Sequence, residues 1–228
     1  MVARVILSHL PKTGGQWARS VMGELLGDDR YHALPQRGEL PIIGIVRNPW
    51  AWYVSLFNFS RGEIPITGTD ASAEWDAPIL ELFATTKLRF RTFDAMLAAY
   101  CNPKSSPPVG KNKIWQNRDA SIYEVLYGAY LCPCDYICQT ENLCVDLLET
   151  LRTLGLLEPS IERKILTTRK LNAGAGADYR EYYTDETAQL IATAHAGMIA
   201  NHGFKFDSEA AATRETAGRV YSAACSIC

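Results

Sequence analysis

Residues 5–7, Val-Ile-Leu, lead into Pro11-Lys12-Thr13-Gly14-Gly15-Gln16-Trp17, and a helix-like stretch from Ala18 to Leu26 follows. A buried strand that ends in a glycine turn, with a lysine in the turn and a helix beyond it, admits few folds. The N–H groups of such a turn converge on one point, and the helix N-terminus adds partial positive charge there. Lys12 supplies a full one. The segment reads as a cradle for a phosphorylated ligand, built where a strand passes directly into a helix.

The rest of the chain repeats that alternation. Residues 2–7 read as a buried strand and residues 16–26 as a helix ended near Gly27. Residues 41–46, Pro-Ile-Ile-Gly-Ile-Val, read as a second buried strand of the parallel type. Pro49 suits the first turn of a helix running to about Ser60. Residues 61–78 have loop composition, 79–100 are helical in pattern, and 102–113 form a polar loop. A short strand is expected over 135–139 and a helix over 142–154, with Gly155 at its C′ position. The last helix spans 185–202, capped by Thr184 and followed by Gly203. Strands alternating with helices indicate an α/β fold, a single domain with a central parallel sheet flanked by helices. That domain is expected over residues 1–207, with 208–228 as a peripheral C-terminal tail. A chain of 228 residues, 47% hydrophobic, is large enough for one such core.

The formal charge of -2 argues against a general nucleic-acid-binding surface. No apolar run approaches the roughly 18–20 residues of a membrane span. The N-terminus lacks the longer apolar core of a secretory signal. A cytoplasmic protein without nucleic-acid or membrane partners is expected. Of seven cysteines, Cys132, Cys134, Cys138 and Cys144 cluster, Cys101 stands alone, and Cys225 and Cys228 close the chain. Their spacing lacks paired C-x2-C knuckles, so no metal is expected. Cys225-Ser226-Ile227-Cys228 has the shape of a prenylation box, but a terminal Cys is atypical of one; these read as incidental thiols of the tail.

The cradle is neither of the two common kinds. The Walker pattern places its glycines before the Lys-Thr pair, whereas here they follow Lys12-Thr13. The dinucleotide fingerprint G-x-G-x-x-G is absent. A second segment, Arg47-Asn48-Pro49-Trp50-Ala51-Trp52-Tyr53-Val54-Ser55, follows the second strand. Arg offers a planar fork for phosphate and Ser a hydroxyl. Eight helical residues span about 12 Å. The two can share a ligand group only if Arg47 precedes the helix and Ser55 lies on its inward face.

Together the two segments resemble the sulfotransferases that use 3′-phosphoadenosine 5′-phosphosulfate (PAPS). Lys12-Thr13-Gly14-Gly15-Gln16-Trp17 is similar to that family's 5′-phosphosulfate loop. Arg47 to Ser55 is similar to its 3′-phosphate motif, including the Arg-to-Ser spacing. Thr140-Glu141-Asn142-Leu143, with a helix ending in Leu-Gly-Leu, resembles its Tyr-Glu-Asp/Asn-Leu segment. Arg169-Lys170-Leu171 resembles an Arg-Lys-Gly motif that covers the 3′-phosphate. Tyr179-Arg180-Glu181-Tyr182-Tyr183, then Asp185 onward to Gly203-Phe204-Lys205-Phe206, resembles the tyrosine-rich C-terminal helix and Gly-Tyr-x-Phe ending. The resemblance covers residues 2–60 and 135–207.

It implies a P-loop-like sulfotransferase fold and transfer of a sulfuryl group from PAPS to an acceptor hydroxyl of a carbohydrate or small molecule, with PAP as product and no metal. Lys12 and the N–H groups of Gly14 and Gly15 would stabilise charge on the leaving nucleotide, with hydrogen bonds from Thr13 and Gln16. Trp17 matches the position that stacks on adenine. Arg47, Ser55, Arg169 and Lys170 would read the 3′-phosphate. His32, before Ala33-Leu34-Pro35, is the expected general base, with Glu39 in reserve. His9 reads as a packing or loop-orienting residue and His195 as structural. Trp50 and Trp52 either face the acceptor or pack the helix on the sheet; Trp75 and Trp115 are candidates to line the acceptor site; Lys104, Lys111 and Lys113 read as a solvated loop. Gln16, Thr140 and Leu171 depart from the family's residues. Two alternatives stay open: a magnesium-dependent nucleotide or phosphate-transfer enzyme, and a non-catalytic nucleotide-binding module on the same fold.

Overall fold

Three parallel strands carry the architecture: β1 (Ile6–His9), β2 (Ile42–Val46) and β3 (Tyr136–Gln139), in the order β1-β2-β3. The register pairs Ile6 with Ile42 and Ser8 with Gly44 on one side of β2, and Ile43 with Tyr136 and Val46 with Gln139 on the other. The computed structural model describes residues 4–26, 35, 38–62, 77–102, 104, 113–116, 119–169 and 178–207. Expectations for Gly27, His32, Trp75, Lys111, Lys170, Leu171, most of 61–78 and 102–113, and the tail from 208 lie outside these residues.

Every residue of β2 is buried, so its apolar run serves two faces with alternating side chains. Ile42 and Val46 join one core; Ile43 and Ile45 join the other. The first face is covered by α2 (Pro49–Ser60), α3 (Ala77–Arg89), α4 (Phe93–Cys101), α5 (Ile122–Tyr130), α8 (Asp185–Ala194) and α9 (Ala196–His202). The second is covered by α1 (Gly15–Met22), α6 (Leu143–Thr153) and α7 (Pro159–Thr167). Trp17, Ala18, Val21 and Met22 of α1 recur at helical spacing and are buried against the sheet. On the first face β2 carries Gly44, where a Cβ would come within 2.8 Å of Cys134 Sγ and 2.9 Å of Leu131 Cδ2. That close approach lets the end of α5 lie against the strand.

Several boundaries differ from the sequence reading. The first strand extends to His9 because its polar residues find buried places: Ser8 Oγ donates to the Tyr130 carbonyl at 2.6 Å. The first helix stops at Met22, and after a turn Leu26 forms a parallel bridge with Val5. The stretch 79–100 holds two helices, because Thr92 turns its hydroxyl to the Ala95 N–H and caps α4. The last helix breaks at His195 into α8 and α9. Two helices lie where none was expected. Ser121 and Glu124 start α5 as a capping box, and Pro159 starts α7 at its first turn. The helix from Pro49 to Ser60, the Thr184 cap, and the left-handed Gly155 and Gly203 agree with expectation.

The connectivity creates a crevice. Ile6 N–H donates to Pro41 O on the β2 side, while Val5 N–H donates to Leu25 O. Successive residues of a parallel strand direct their N–H groups to opposite edges, so the Leu25–Leu26 segment lies on the edge of β1 away from β2. The chain thus leaves β1 over one face through α1 and leaves β2 over the other through α2. Where such paths diverge, the strands' carboxyl ends flank a topological switch point, where open α/β sheets bind ligands. No helix among the described residues is long and apolar enough to cross a membrane.

Candidate active site at the switch point

The loop from Leu10 to Gly14 closes this crevice. Lys12 has φ of 71°, alone among the described non-glycine residues in being positive, and Gly14 has φ of 85°. A left-handed residue other than glycine costs about 1–2 kcal/mol, so the surroundings must impose it. They do so through four consecutive carbonyls. Leu10 O accepts from Thr13 Oγ1 at 2.7 Å, and Pro11 O from Trp52 Nε1 at 2.7 Å. Lys12 O accepts from Arg47 Nη1 at 2.9 Å, and Thr13 O from Thr140 Oγ1 at 2.9 Å. A trans peptide directs its N–H opposite its C=O. Clamping the carbonyls of Pro11, Lys12 and Thr13 therefore turns the N–H groups of Lys12, Thr13 and Gly14 away from the clamps. These three, and the Gly15 N–H at the start of α1, meet no acceptor among the described residues.

Gly15 has a second role. A Cβ there would lie 2.0 Å from Cδ2 and 2.1 Å from Nε2 of His9, so the buried imidazole occupies the space a side chain would need. His9 thus packs the start of α1 onto the end of β1, as its position suggested.

Arg47 and Asn48 close the β2 side. The Arg47 carbonyl accepts from Tyr123 Oη, and the Asn48 N–H donates to Glu141 Oε1 at 3.0 Å. Asn48 caps α2 by accepting from Trp50 N–H, and its Nδ2 donates to Lys205 O. Arg47 therefore precedes the helix. Ser55 lies three residues after Trp52 and four before Phe59. Both of those touch the loop, Phe59 through its ring, 3.8 Å below Lys12 Nζ. The first condition set by the Arg-to-Ser spacing thus holds, and helix periodicity sets Ser55 on the side of α2 that carries Trp52 and Phe59.

Burial, and then the neighbouring Arg47 charge, pull Lys12 down to about 7. Burial also lowers Arg47, against the opposing pull of Glu141, Tyr123 and Tyr179. The loop thus carries two desolvated cations, Lys12 and Arg47, and four backbone N–H groups that meet no acceptor among the described residues.

The chain matches no protein-family model and no curated protein. Among solved structures it is similar to mouse sulfotransferase SULT7A1 complexed with PAP, over 91% of each chain, with a TM-score of 0.50 and 16% identity. The fold is that of a sulfotransferase.

On this sulfotransferase fold several expected residues take other places. Trp17 is 2% exposed, with Nε1 donating to Thr168 O at 3.0 Å, so it is a core residue here with no free face for adenine. Thr13 is fully buried and its hydroxyl is used by Leu10, so it offers the crevice its backbone rather than its side chain. Gln16 is partly buried on the first turn of α1. Arg169 is exposed and follows Thr168, which ties its segment to α1. Glu39 is exposed before the N-terminal end of β2. The five residues of β2 span about 16 Å, so Glu39 is at the wrong end of the sheet to act as base.

Trp50 and Trp52 are both structural: Trp50 Nε1 donates to Ala188 O, and Trp52 holds the loop. Trp115 is buried in the first core, not set at an acceptor surface. Exposed Lys104 pairs with Asp119. His195 is fully buried between Tyr53 Oη and Ser121 Oγ, and burial lowers it to about 3. The sheet separates the clustered cysteines: Cys132 and Cys134 pack on its first face, Cys138 and Cys144 on its second. The sequence reading missed the clamps. Trp52 and Thr140 are both singled out in the sequence, but their partners lie 41 and 127 residues away.

Proposed function

We propose that this protein is a PAPS-dependent sulfotransferase acting on a hydroxyl of a small molecule or carbohydrate in the cytoplasm. The supporting observation is that a sulfotransferase fold carries, at its switch point, a loop whose Lys12 to Gly15 N–H groups meet no acceptor among the described residues and which holds the desolvated Lys12 and Arg47. The family resemblance assigns this donor set two separate phosphate groups. Lys12 and the loop N–H groups hold the 5′-phosphate, and Lys12 neutralises charge on the bridging oxygen as the sulfur–oxygen bond breaks. Arg47, Ser55 and Arg169, with Lys170 beyond it, take the 3′-phosphate. The acceptor oxygen attacks sulfur in line with the departing oxygen and loses its proton to a base, for which His32 is the proposed residue. The products are the sulfate ester and PAP. Positioning and preorganised charge supply most of the rate, by analogy with phosphoryl transfer.

A thermal-shift titration tests the reading. At a hundred times its dissociation constant, 3′,5′-ADP (PAP) adds about 2.7 kcal/mol, which raises the midpoint of a chain this long by about 5–10 °C. A shift with ATP only in the presence of magnesium, and none with 3′,5′-ADP, overturns the reading in favour of phosphoryl transfer. Binding of 3′,5′-ADP without turnover of PAPS on a broad acceptor panel favours the non-catalytic module.

The position of Lys12 sets a pH dependence. The free amine titrates near 7 instead of the ordinary 10.5, and a phosphate beside it raises that value again. Between pH 7 and the raised value, each binding event takes up a proton, so the Kd for 3′,5′-ADP rises with pH, by up to about tenfold per unit. Calorimetry from pH 7 to 9 reads this directly, and a flat Kd across that range rejects it. Without ligand the sign for folding is opposite. The unfolded chain holds the Lys12 proton up to about 10.5, so this group's contribution to stability grows as pH rises from 7 toward 10.5.

A further inference from the structure

Thr140 follows β3 directly and is partly buried. Its single hydroxyl faces two carbonyls, Thr13 O and Val46 O, each at 2.9 Å. The first belongs to the cradle and shares its peptide plane with the Gly14 N–H. The second closes β2 and shares its plane with the N–H of Arg47. One proton thus links the two halves of the crevice, which come from different strands and leave over opposite faces of the sheet. The Thr140 methyl points toward Gly14, whose Cβ position lies 4.0 Å from Cγ2. Arg47 in turn reaches back to the Lys12 carbonyl. Thr140, Thr13, Lys12, Arg47 and Val46 form a closed ring of contacts that joins the loop to the end of β2.

We propose that Thr140 is a positioning residue for the donor site: its shared proton sets the spacing between the cradle N–H groups and Arg47, and hence the fit to a ligand carrying both a 5′- and a 3′-phosphate. The inference rests on the sulfotransferase reading and goes beyond it, because the Thr140 hydroxyl is directed at two backbone carbonyls rather than at a ligand group. Losing the proton leaves two buried carbonyls competing for solvent and frees the loop to move relative to β2. A ligand that bridges both halves feels that change more than one that fills a single half.

The test compares Thr140→Val, which keeps the shape and removes the proton, with Thr140→Ser, which keeps the proton. Thr86→Val is the control. Thr86 is a buried hydroxyl far along α3 that bonds Leu82 O and Tyr100 Oη, so it reports general destabilisation. Calorimetry measures Kd for 3′,5′-ADP and for 5′-AMP, and thermal unfolding is read on the same samples. Thr140→Val is expected to weaken 3′,5′-ADP at least about tenfold and 5′-AMP by a clearly smaller factor. Thr140→Ser is expected within about threefold of the wild type for both, and Thr86→Val to lower the melting midpoint without changing either Kd. If Thr140→Val does not fold, Thr140→Ala, which leaves room for a water at the two carbonyls, takes its place. Equal weakening of the two nucleotides, wild-type affinity in Thr140→Val, or equal losses in Thr86→Val overturns the positioning role while leaving the sulfotransferase reading intact. A wild-type chain that binds no 3′,5′-ADP overturns both.

Discussion

Replacing Lys12 by alanine is expected to lower the transfer rate from PAPS by about a thousandfold or more while leaving the melting midpoint unchanged or higher. The two effects separate because of where Lys12 is held. Its amine is desolvated beside Arg47 and lies over the Phe59 ring, so in the free protein it is a costly charge. Removing it relieves that cost. In the proposed transfer the same charge would face the oxygen that leaves with the nucleotide, and loss of one preorganised donor of this kind costs about a hundred- to a thousandfold in rate; a full charge belongs at or beyond the upper end. The left-handed backbone at Lys12 is unaffected, because the clamps act on carbonyls. Initial rates with saturating acceptor, together with a melting curve, read both quantities. Unchanged turnover in Lys12→Ala would sink the proposed mechanism.

The second large effect is expected from Gly15→Ala. A methyl placed 2.0 Å from one imidazole carbon and 2.4 Å from another cannot be accommodated without moving His9 or the start of α1. Overpacking of this kind costs about 1–3 kcal/mol, a fall of about 3–10 °C for this chain length. Movement of α1 also carries the Gly14 and Gly15 N–H groups out of the cradle, so 3′,5′-ADP binding should fall at least about tenfold. The double variant His9→Ala/Gly15→Ala removes the colliding ring and should recover most of both losses, giving a coupling that a sum of independent changes lacks. A Gly15→Ala protein with native midpoint and affinity would mean that the imidazole yields freely.

The elements that were legible in the chain are those whose signals are local. Pro41 to Val46 is a continuous apolar run, and Ile42–Val46 of it is the central strand. Asn48-Pro49 carries both a cap and a first-turn proline, and α2 begins there. Lys12 to Gly15 forms the strand-to-helix turn. The helix α5 was equally available, since Ser121 and Glu124 make a capping box, but its apolar and aromatic residues carry no strong polar face to set a period. The break at His195 was not available: it depends on Tyr53 and Ser121, far away in sequence. The same holds for the site. Residue types that recognise phosphate can be read from motifs, whereas Trp17 becoming core and Trp52 becoming a clamp depend on which carbonyl each indole N–H meets. Glu39 shows the limit most plainly. The resemblance put it in reserve as a base, and strand direction puts it at the opposite end of the sheet.

The clamps on carbonyls 10–13 come from Thr13, Arg47, Trp52 and Thr140. Only the first of these is local. As the chain is synthesised, this loop emerges well ahead of its last fastener, which lies 127 residues further on. Until then nothing holds Thr13 O, and Lys12 has less reason to keep its left-handed turn. The shape of the loop is therefore completed late, when β3 docks beside β2, and a fragment ending before that strand would carry the motif without its shape.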